Sequence, residues 1–178
     1  MLKTVLICLL LIACSTQLSA GSLTYPIPQC SASLENEPDG EHILVEGYST
    51  TASPGDPAVP FKDICLVLPP NADPSSIRVQ LKAAVTSLSE PVHDLAPAPP
   101  RIAVIDGQEL LDWGEGKEIE NGRNQLVYGR DAFTPASHVE LIDVGKLRKW
   151  RIARIRFYPY LYNPVAKMLQ FCSGGEIL

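Results

Sequence analysis

Residues 143–171 read DVGKLRKWRIARIRFYPYLYNPVAKMLQF, and the pattern of this stretch decides the fold. Ala153, Ile155 and Phe157 are apolar, while Arg154 and Arg156 alternate with them. A period of two marks a half-buried strand, because successive strand side chains point to opposite faces. Tyr162-Asn163-Pro164 then supplies turn chemistry: Asn tolerates turn conformations, and Pro fixes its own φ and carries no N–H. A second alternation follows, with Leu169 and Phe171 on one face and Met168 and Gln170 on the other. The reading is a hairpin, with the strand through Phe157 paired to the strand around 168–171.

Outward from this hairpin the chain gives more short strands. Residues 42–47 (HILVEG) are one, and residues 61–68 the next. In the latter, Ile64, Leu66 and Leu68 share a face, and Cys65 and Val67 on the other face are apolar too. Such a strand is expected to be covered on both sides, with Cys65 a buried small hydrophobe. Ile77, Val79, Leu81 and Ala83 alternate with Arg78, Gln80 and Lys82, predicting a half-buried strand. Residues 102–105 end at the turn signal Asp106-Gly107. A helical turn is expected over 109–113, and strands over 125–128 and 138–144. Residues 91–100 (PVHDLAPAPP) read as an extended linker or edge. Ten of the sixteen prolines fall between Pro54 and Pro100, which is hostile to long helices. The chain therefore reads as an all-β protein, an antiparallel sandwich or barrel-like domain, and 178 residues make one such domain with appendages.

The first twenty residues read as an export signal. Lys3 is the basic n-region and residues 5–13 are an unbroken apolar run, too short for the roughly 20 residues a spanning helix needs. Two processing sites compete. Leu18-Ser19-Ala20 before Gly21 suits a signal peptidase, and Leu11-Ile12-Ala13-Cys14 is similar to a lipobox in which Cys14 would be acylated. The expected organisation is a signal over 1–20, a leader over 21–40, the β domain over 41–172 and a tail over 173–178. The protein is expected to be exported to periplasm, cell surface or medium, touching a membrane only through a lipid on Cys14.

A net charge of −5 does not point to a nucleic-acid binder. Two stretches are nevertheless strongly charged. Asp106, Glu109, Asp112, Glu115, Glu118 and Glu120 are relieved only by Lys117, and Lys146, Arg148, Lys149, Arg151, Arg154 and Arg156 contain no acid among them. Either could face a charged partner. The plainer reading is an outer solvated face, since an exposed pair contributes about 0–1 kcal/mol and a buried Phe about 1.5–3 kcal/mol. Ile155 and Phe157 should thus set the strand's orientation, with the arginines following.

Nothing in the sequence argues for catalysis. His42, His93 and His138 show no metal-ligand spacing with one another or with Cys, and no nucleophile elbow or phosphate-cradling loop is present. No metal and no cofactor is expected. His93-Asp94 reads as a surface pair. Of the cysteines beyond the signal, Cys30 and Cys172 flank the domain and could pair, leaving Cys65 over.

The order of several motifs carries a resemblance. Gly55-Asp56-Pro57-Ala58-Val59-Pro60, Leu95-Ala96-Pro97, Tyr128 with Phe133-Thr134-Pro135, Asp143-Val144-Gly145, and Tyr158-Pro159-Tyr160-Leu161-Tyr162-Asn163-Pro164-Val165 resemble the propeptide domain of gingipain-like cysteine peptidases, peptidase family C25. The resemblance covers roughly residues 42–172. It implies a β pro-domain that assists folding of a cysteine endopeptidase and blocks its cleft by substrate mimicry, acting in cis or in trans. Lys117, Arg123 and Arg130 are then the candidates for an inhibitory loop. Because the family's catalytic domain follows the pro-domain and this sequence stops at Leu178, the expectation is a truncated or stand-alone pro-domain without enzymatic activity. The alternative is an exported β-sandwich adhesion module, with Trp113, Tyr158, Tyr160 and Tyr162 lining a binding site.

Overall fold

The computed structural model describes residues 21–50, 53–88, 94–105 and 107–178. Its strands are β1 (Tyr25–Ile27), β2 (Ala32–Glu37), β3 (Gly40–Val45), β4 (Lys62–Leu68), β5 (Leu81–Lys82), β6 (Thr86–Leu88), β7 (Arg101–Ile105), β8 (Gln108–Asp112), β9 (Ile119–Glu120), β10 (Arg123–Asn124), β11 (Val139–Leu147), β12 (Trp150–Phe157), β13 (Tyr160–Asn163), β14 (Met168–Phe171) and β15 (Gly175–Ile177), with one short helix, α1 (Gln125–Tyr128). The ladders between these strands are antiparallel. The all-β antiparallel expectation therefore holds.

The alternating stretch is the middle strand of a sheet ordered β11-β12-β4. Ala153, Ile155 and Phe157 are buried at 1%, 3% and 1% exposure, which fixes the strand's inner face. Burying such side chains stabilises by about 1.5–3 kcal/mol for a large one, so the arginines are carried outward. There Arg156 bonds Asp63 through Nε at 2.6 Å and Nη2 at 2.9 Å, and Arg154 bonds Asp143 at 3.0 Å. A register shift between Leu141 and Asp143 bulges β11.

The hairpin is real but its partners differ from the reading. β14 pairs with β13, not with β12, in the register Tyr160↔Phe171 to Asn163↔Met168. Tyr158-Pro159 breaks the run after Phe157, and Asn163 Oδ1 accepts from the amides of Val165 and Ala166 to close the turn. One continuous apolar stretch thus serves two sheets.

Other expectations are corrected. Cys65 is exposed and Val67 is 56% exposed, because no described element packs over the outer face of β4. Burial over 77–83 alternates as expected, but only Leu81–Lys82 joins a ladder, its partner β15 being three residues long. Residues 108–112 are a strand rather than a helical turn, paired along the whole of β7 around Gly107 at φ +78°. Residues 125–128 are helical rather than extended: Asn124 Oδ1 accepts from Leu126 N and Gly129 N donates to Gln125 O, closing one turn. The stretch expected as leader holds β1 and β2, and the expected tail holds β15, which pairs with both β1 and β5. Of the expected linker, the described residues 94–100 are partly buried, with Leu95 and Ala96 at 0% exposure. The signal, Cys14 and His93 lie outside the described residues. The three described cysteines are free; Cys30 N donates to Ser173 O at 3.1 Å, but Cys172 Sγ turns to Gly174 O at 3.5 Å instead of toward a bridge.

Two apolar clusters form the core. One gathers Ile43, Val59, Leu95, Tyr160, Tyr162 and Leu169; the other gathers Ile27, Ile64, Ile155, Phe157, Cys172 and Ile177. Tyr48 packs against both, its ring edge-on to Phe157 at 6.4 Å between centroids.

Candidate functional site

Motifs far apart in the sequence meet at one place. Gly55 N donates to Ala98 O at 2.7 Å, Ala58 N to Ala96 O at 2.9 Å, and Ala98 N to Asp56 O at 2.8 Å, so the Gly55–Pro60 segment is laced to the Leu95–Pro97 segment. Gly55 lies at φ +79°, where a side chain is strained, and a Cβ there would sit 2.7 Å from Ile119 Cδ1. Tyr128 Oη donates to Leu95 O at 2.8 Å, and burial pushes the phenol well above its ordinary pKa. Thr134 exchanges backbone bonds of 2.8 and 2.9 Å with Tyr162. Together these segments make a floor.

On that floor sits the stretch from Trp113 to Asp131. Asn124, 4% exposed, is its central pin: its amide N donates to Gly55 O at 2.8 Å and its Nδ2 to Asp56 Oδ1 at 2.7 Å, while its Oδ1 caps α1. Asn163 Nδ2 donates to Asp131 Oδ1 at 2.9 Å and holds the far end. A loop fixed at several points loses little freedom when a partner grips it, which favours binding.

The three sequence candidates divide sharply. Lys117 points inward; its ammonium donates to Ser53 Oγ at 2.8 Å and to Pro54 O, and lies 3.6 Å from Asp56. Arg123 also points inward, donating to Asp94 at 3.0 and 3.3 Å and to Asp39 O at 3.0 Å, with its guanidinium 4.8 Å from the Tyr128 ring centroid. Burial raises the Asp94 carboxyl's pKa, but bonds from Arg123 and Lys167 outweigh it and hold the carboxyl below its usual range. Arg130 alone of the three is exposed, in a tight turn after α1 where Arg130 N bonds Val127 O at 3.1 Å and Ala132 N bonds Arg130 O at 3.0 Å. The tyrosines of the adhesion reading do not form a surface: Tyr158, Tyr160 and Tyr162 are 6%, 8% and 0% exposed.

Sequence reasoning missed a second surface. Among the described residues the β7–β8 hairpin pairs with no other strand, and it exposes Ile102, Val104, Leu110 and Leu111 at 65%, 67%, 47% and 62%. Exposed apolar side chains this concentrated mark contact surfaces. The signal lies in the apolar residues of 102–105 themselves, which mark a strand but do not say what covers it.

Glu37, Asp39 and His42 bring three ligand-type atoms within 4.8 Å of one another. They are solvent-facing, and His42 Nε2 is already hydrogen-bonded to Asp39 at 3.0 Å. Among the described residues, no helix is long and apolar enough to cross a membrane.

The class defined here is a small antiparallel-β domain that holds a pinned loop at its surface. The family model for the propeptide of C25 peptidases (Propeptide_C25) matches residues 41–176, and the chain belongs to that family, the pro-domains of gingipain-like cysteine peptidases. Solved structures share the fold, among them two from Porphyromonas gingivalis. One is the complex of the Porphyromonas gingivalis RgpB pro- and mature domains, at TM-score 0.58 and 16% identity, covering 86% of this chain and 75% of that one. The other, described as giving insight into the zymogenic latency of gingipain K from Porphyromonas gingivalis, has TM-score 0.55 and 21% identity, covering 86% and 81%. No curated protein sequence matches the chain.

Proposed function

We propose that this exported domain assists the folding of a C25 cysteine peptidase and holds its cleft shut, with Arg130 offered to the cleft. The observation that carries the reading is the pinned loop on a C25 pro-domain fold. Asn124, Lys117 and Arg123 are spent on holding the loop, and Arg130 is left at its surface. A rigidly mounted guanidinium can fill a carboxylate-lined specificity pocket without losing much freedom on binding. The β7–β8 hairpin, with its exposed Ile102, Val104 and Leu111, supplies apolar area for the remaining contact.

The test is inhibition of a purified C25 catalytic domain by this protein, together with its effect on refolding yield. Arg130→Ala should weaken inhibition about thirtyfold, as for a hot-spot residue worth about 2 kcal/mol. Lys117→Ala and Arg123→Ala should lower thermal stability first. If Arg130→Ala inhibits like the parent, the Arg130 assignment falls. If the parent neither inhibits nor aids refolding, the whole reading falls.

A further inference from the structure

The β11–β12 hairpin ends in a surface the core does not use. Its last rungs are Lys146↔Arg151 and Leu147↔Trp150, joined by Arg148 at φ +54° and Lys149. The ladder of β4 with β12 stops at Leu68↔Arg151, so residues 147–150 project beyond the third strand. Alternation sorts the tip. Leu147 and Trp150 share the outer face with Ile152 and with Val67, its partner on β4, and Leu147, Trp150 and Val67 are 61%, 48% and 56% exposed. Lys146 and Arg151 take the opposite face, and Arg148 and Lys149 the turn.

The charges of this sheet fall into two groups. Toward its base Arg154 and Arg156 are paired with Asp143 and Asp63 at 3.0 and 2.6 Å. At the tip, none of Lys146, Arg148, Lys149 or Arg151 has an ion pair within 4 Å among the described residues. Lys149 Nζ lies 5.1 Å from the Trp150 ring centroid, leaving the ammonium and the indole side by side. Among the described residues, Lys146, Arg148 and Lys149 are left without a carboxylate partner, and Arg151 has only Asp73 near enough to feel its charge, in a chain of net charge −5.

We infer that this tip docks end-on on an anionic lipid surface, with Leu147 and Trp150 entering the headgroup boundary, Arg148 and Lys149 of the turn resting on lipid phosphates, and Lys146 and Arg151 reaching the phosphates from the opposite face of the ribbon. Indole rings settle at that boundary, and basic side chains bury their stems while keeping their charge among the headgroups. The alternative occupant is an acidic protein. A tip of six residues is too small for the roughly 800 Å² per partner that a stable protein interface buries, whereas shallow insertion into lipid needs no such area.

The experiment uses the full chain carrying Trp113→Phe, so that Trp150 is the emitting indole, with vesicles of phosphatidylcholine alone or mixed equally with phosphatidylglycerol. The expected result is a blue shift of Trp150 emission on the anionic vesicles only, reversed by added salt as screening shortens the attraction. Replacing Lys146, Arg148 and Lys149 together by Gln should lower partitioning about a hundredfold. Leu147→Ser should cut the shift further while circular dichroism stays unchanged, since the side chain is exposed. Adhesion to vesicles through residues 1–20 is common to parent and variants and leaves Trp150 emission unmoved. Unchanged emission on anionic vesicles, or a charge variant that partitions like the parent, overturns the inference. A shift produced by poly-glutamate and not by vesicles would assign the tip to an acidic protein and equally overturn it.

Discussion

Asn124 donates from Nδ2 to Asp56 Oδ1 at 2.7 Å, joining two residues 68 positions apart under the display loop. The same side chain caps α1 through Oδ1. Asn124→Ala removes both roles at a position 4% exposed and leaves Asp56, half-buried, with the Lys117 ammonium at 3.6 Å. The expected cost is about 1.5–3 kcal/mol for the lost hydrogen bond to a charged group, with a further cap contribution near 1 kcal/mol. Urea denaturation should show the lowered midpoint. Inhibition of a C25 peptidase should weaken in parallel, because Arg130 sits in the turn that follows the helix this residue caps.

Gly55→Ala should destabilise by more than about 1 kcal/mol. The new methyl would stand at φ +79° and 2.7 Å from Ile119 Cδ1, so strain and overlap act together. Gly107→Ala, at φ +78° but with nothing within 4 Å of the added Cβ, carries the strain without the overlap and should cost less. A thermal-shift comparison separates the two; equal shifts would remove the overlap argument.

His138 should make stability fall on mild acidification. Its Nδ1 lies 2.7 Å from Tyr158 O, and since a carbonyl only accepts, Nδ1 carries the hydrogen and the buried Nε2 is left as an acceptor with no partner among the described residues. Burial lowers its pKa, and the bond to Tyr158 recovers only part of that. Above its ordinary value of 6.5 both folded and unfolded chains hold the ring neutral, and stability is full. As pH drops below that value the unfolded chain takes up a proton the folded one resists, so stability declines until the folded pKa is passed. Urea midpoints between about pH 7 and pH 5 should slope downward, and His138→Gln should flatten that slope.

Ile155 and its neighbour Arg154 should behave as opposites. Ile155→Ala opens a cavity at a site 3% exposed and should cost about 2–5 kcal/mol. Arg154→Ala breaks an exposed pair with Asp143 and should cost no more than about 1 kcal/mol. Equal effects would show that charge, not burial, orients β12.

The inner face of β12 was legible because one side of it is buried and the other is not, so alternation is written directly into residue type. Cys65 and Val67 misled because apolar residues on a strand look the same whether or not something covers them. The 125–128 segment was misread for a different reason: QLVY carries strand-forming Val and Tyr, but one capping side chain and the lacing of Asn124 to Gly55 outweigh four residues of propensity. The pairing of β14 with β13 could not be read from spacing either, since it depends on where Tyr158-Pro159 redirects the chain. The pinned loop showed in the sequence only as part of the acidic run around Lys117. Which of its cations face inward depends on Ser53, Asp56 and Asp94, residues too remote in sequence to be paired with it by pattern.

The pairing of β1 with β15 imposes an order of events on the chain. A polypeptide made or threaded across a membrane from its N-terminus presents Tyr25–Ile27 early, yet that segment finds its neighbour only when Gly175–Ile177 has emerged. Contacts that span nearly the whole sequence are slow to form, because the loop-closure cost precedes the reward. Of the described strands β1 is the first to be made, and until β15 follows it the surface around Ile27 stays open to any protease or chaperone that meets the chain.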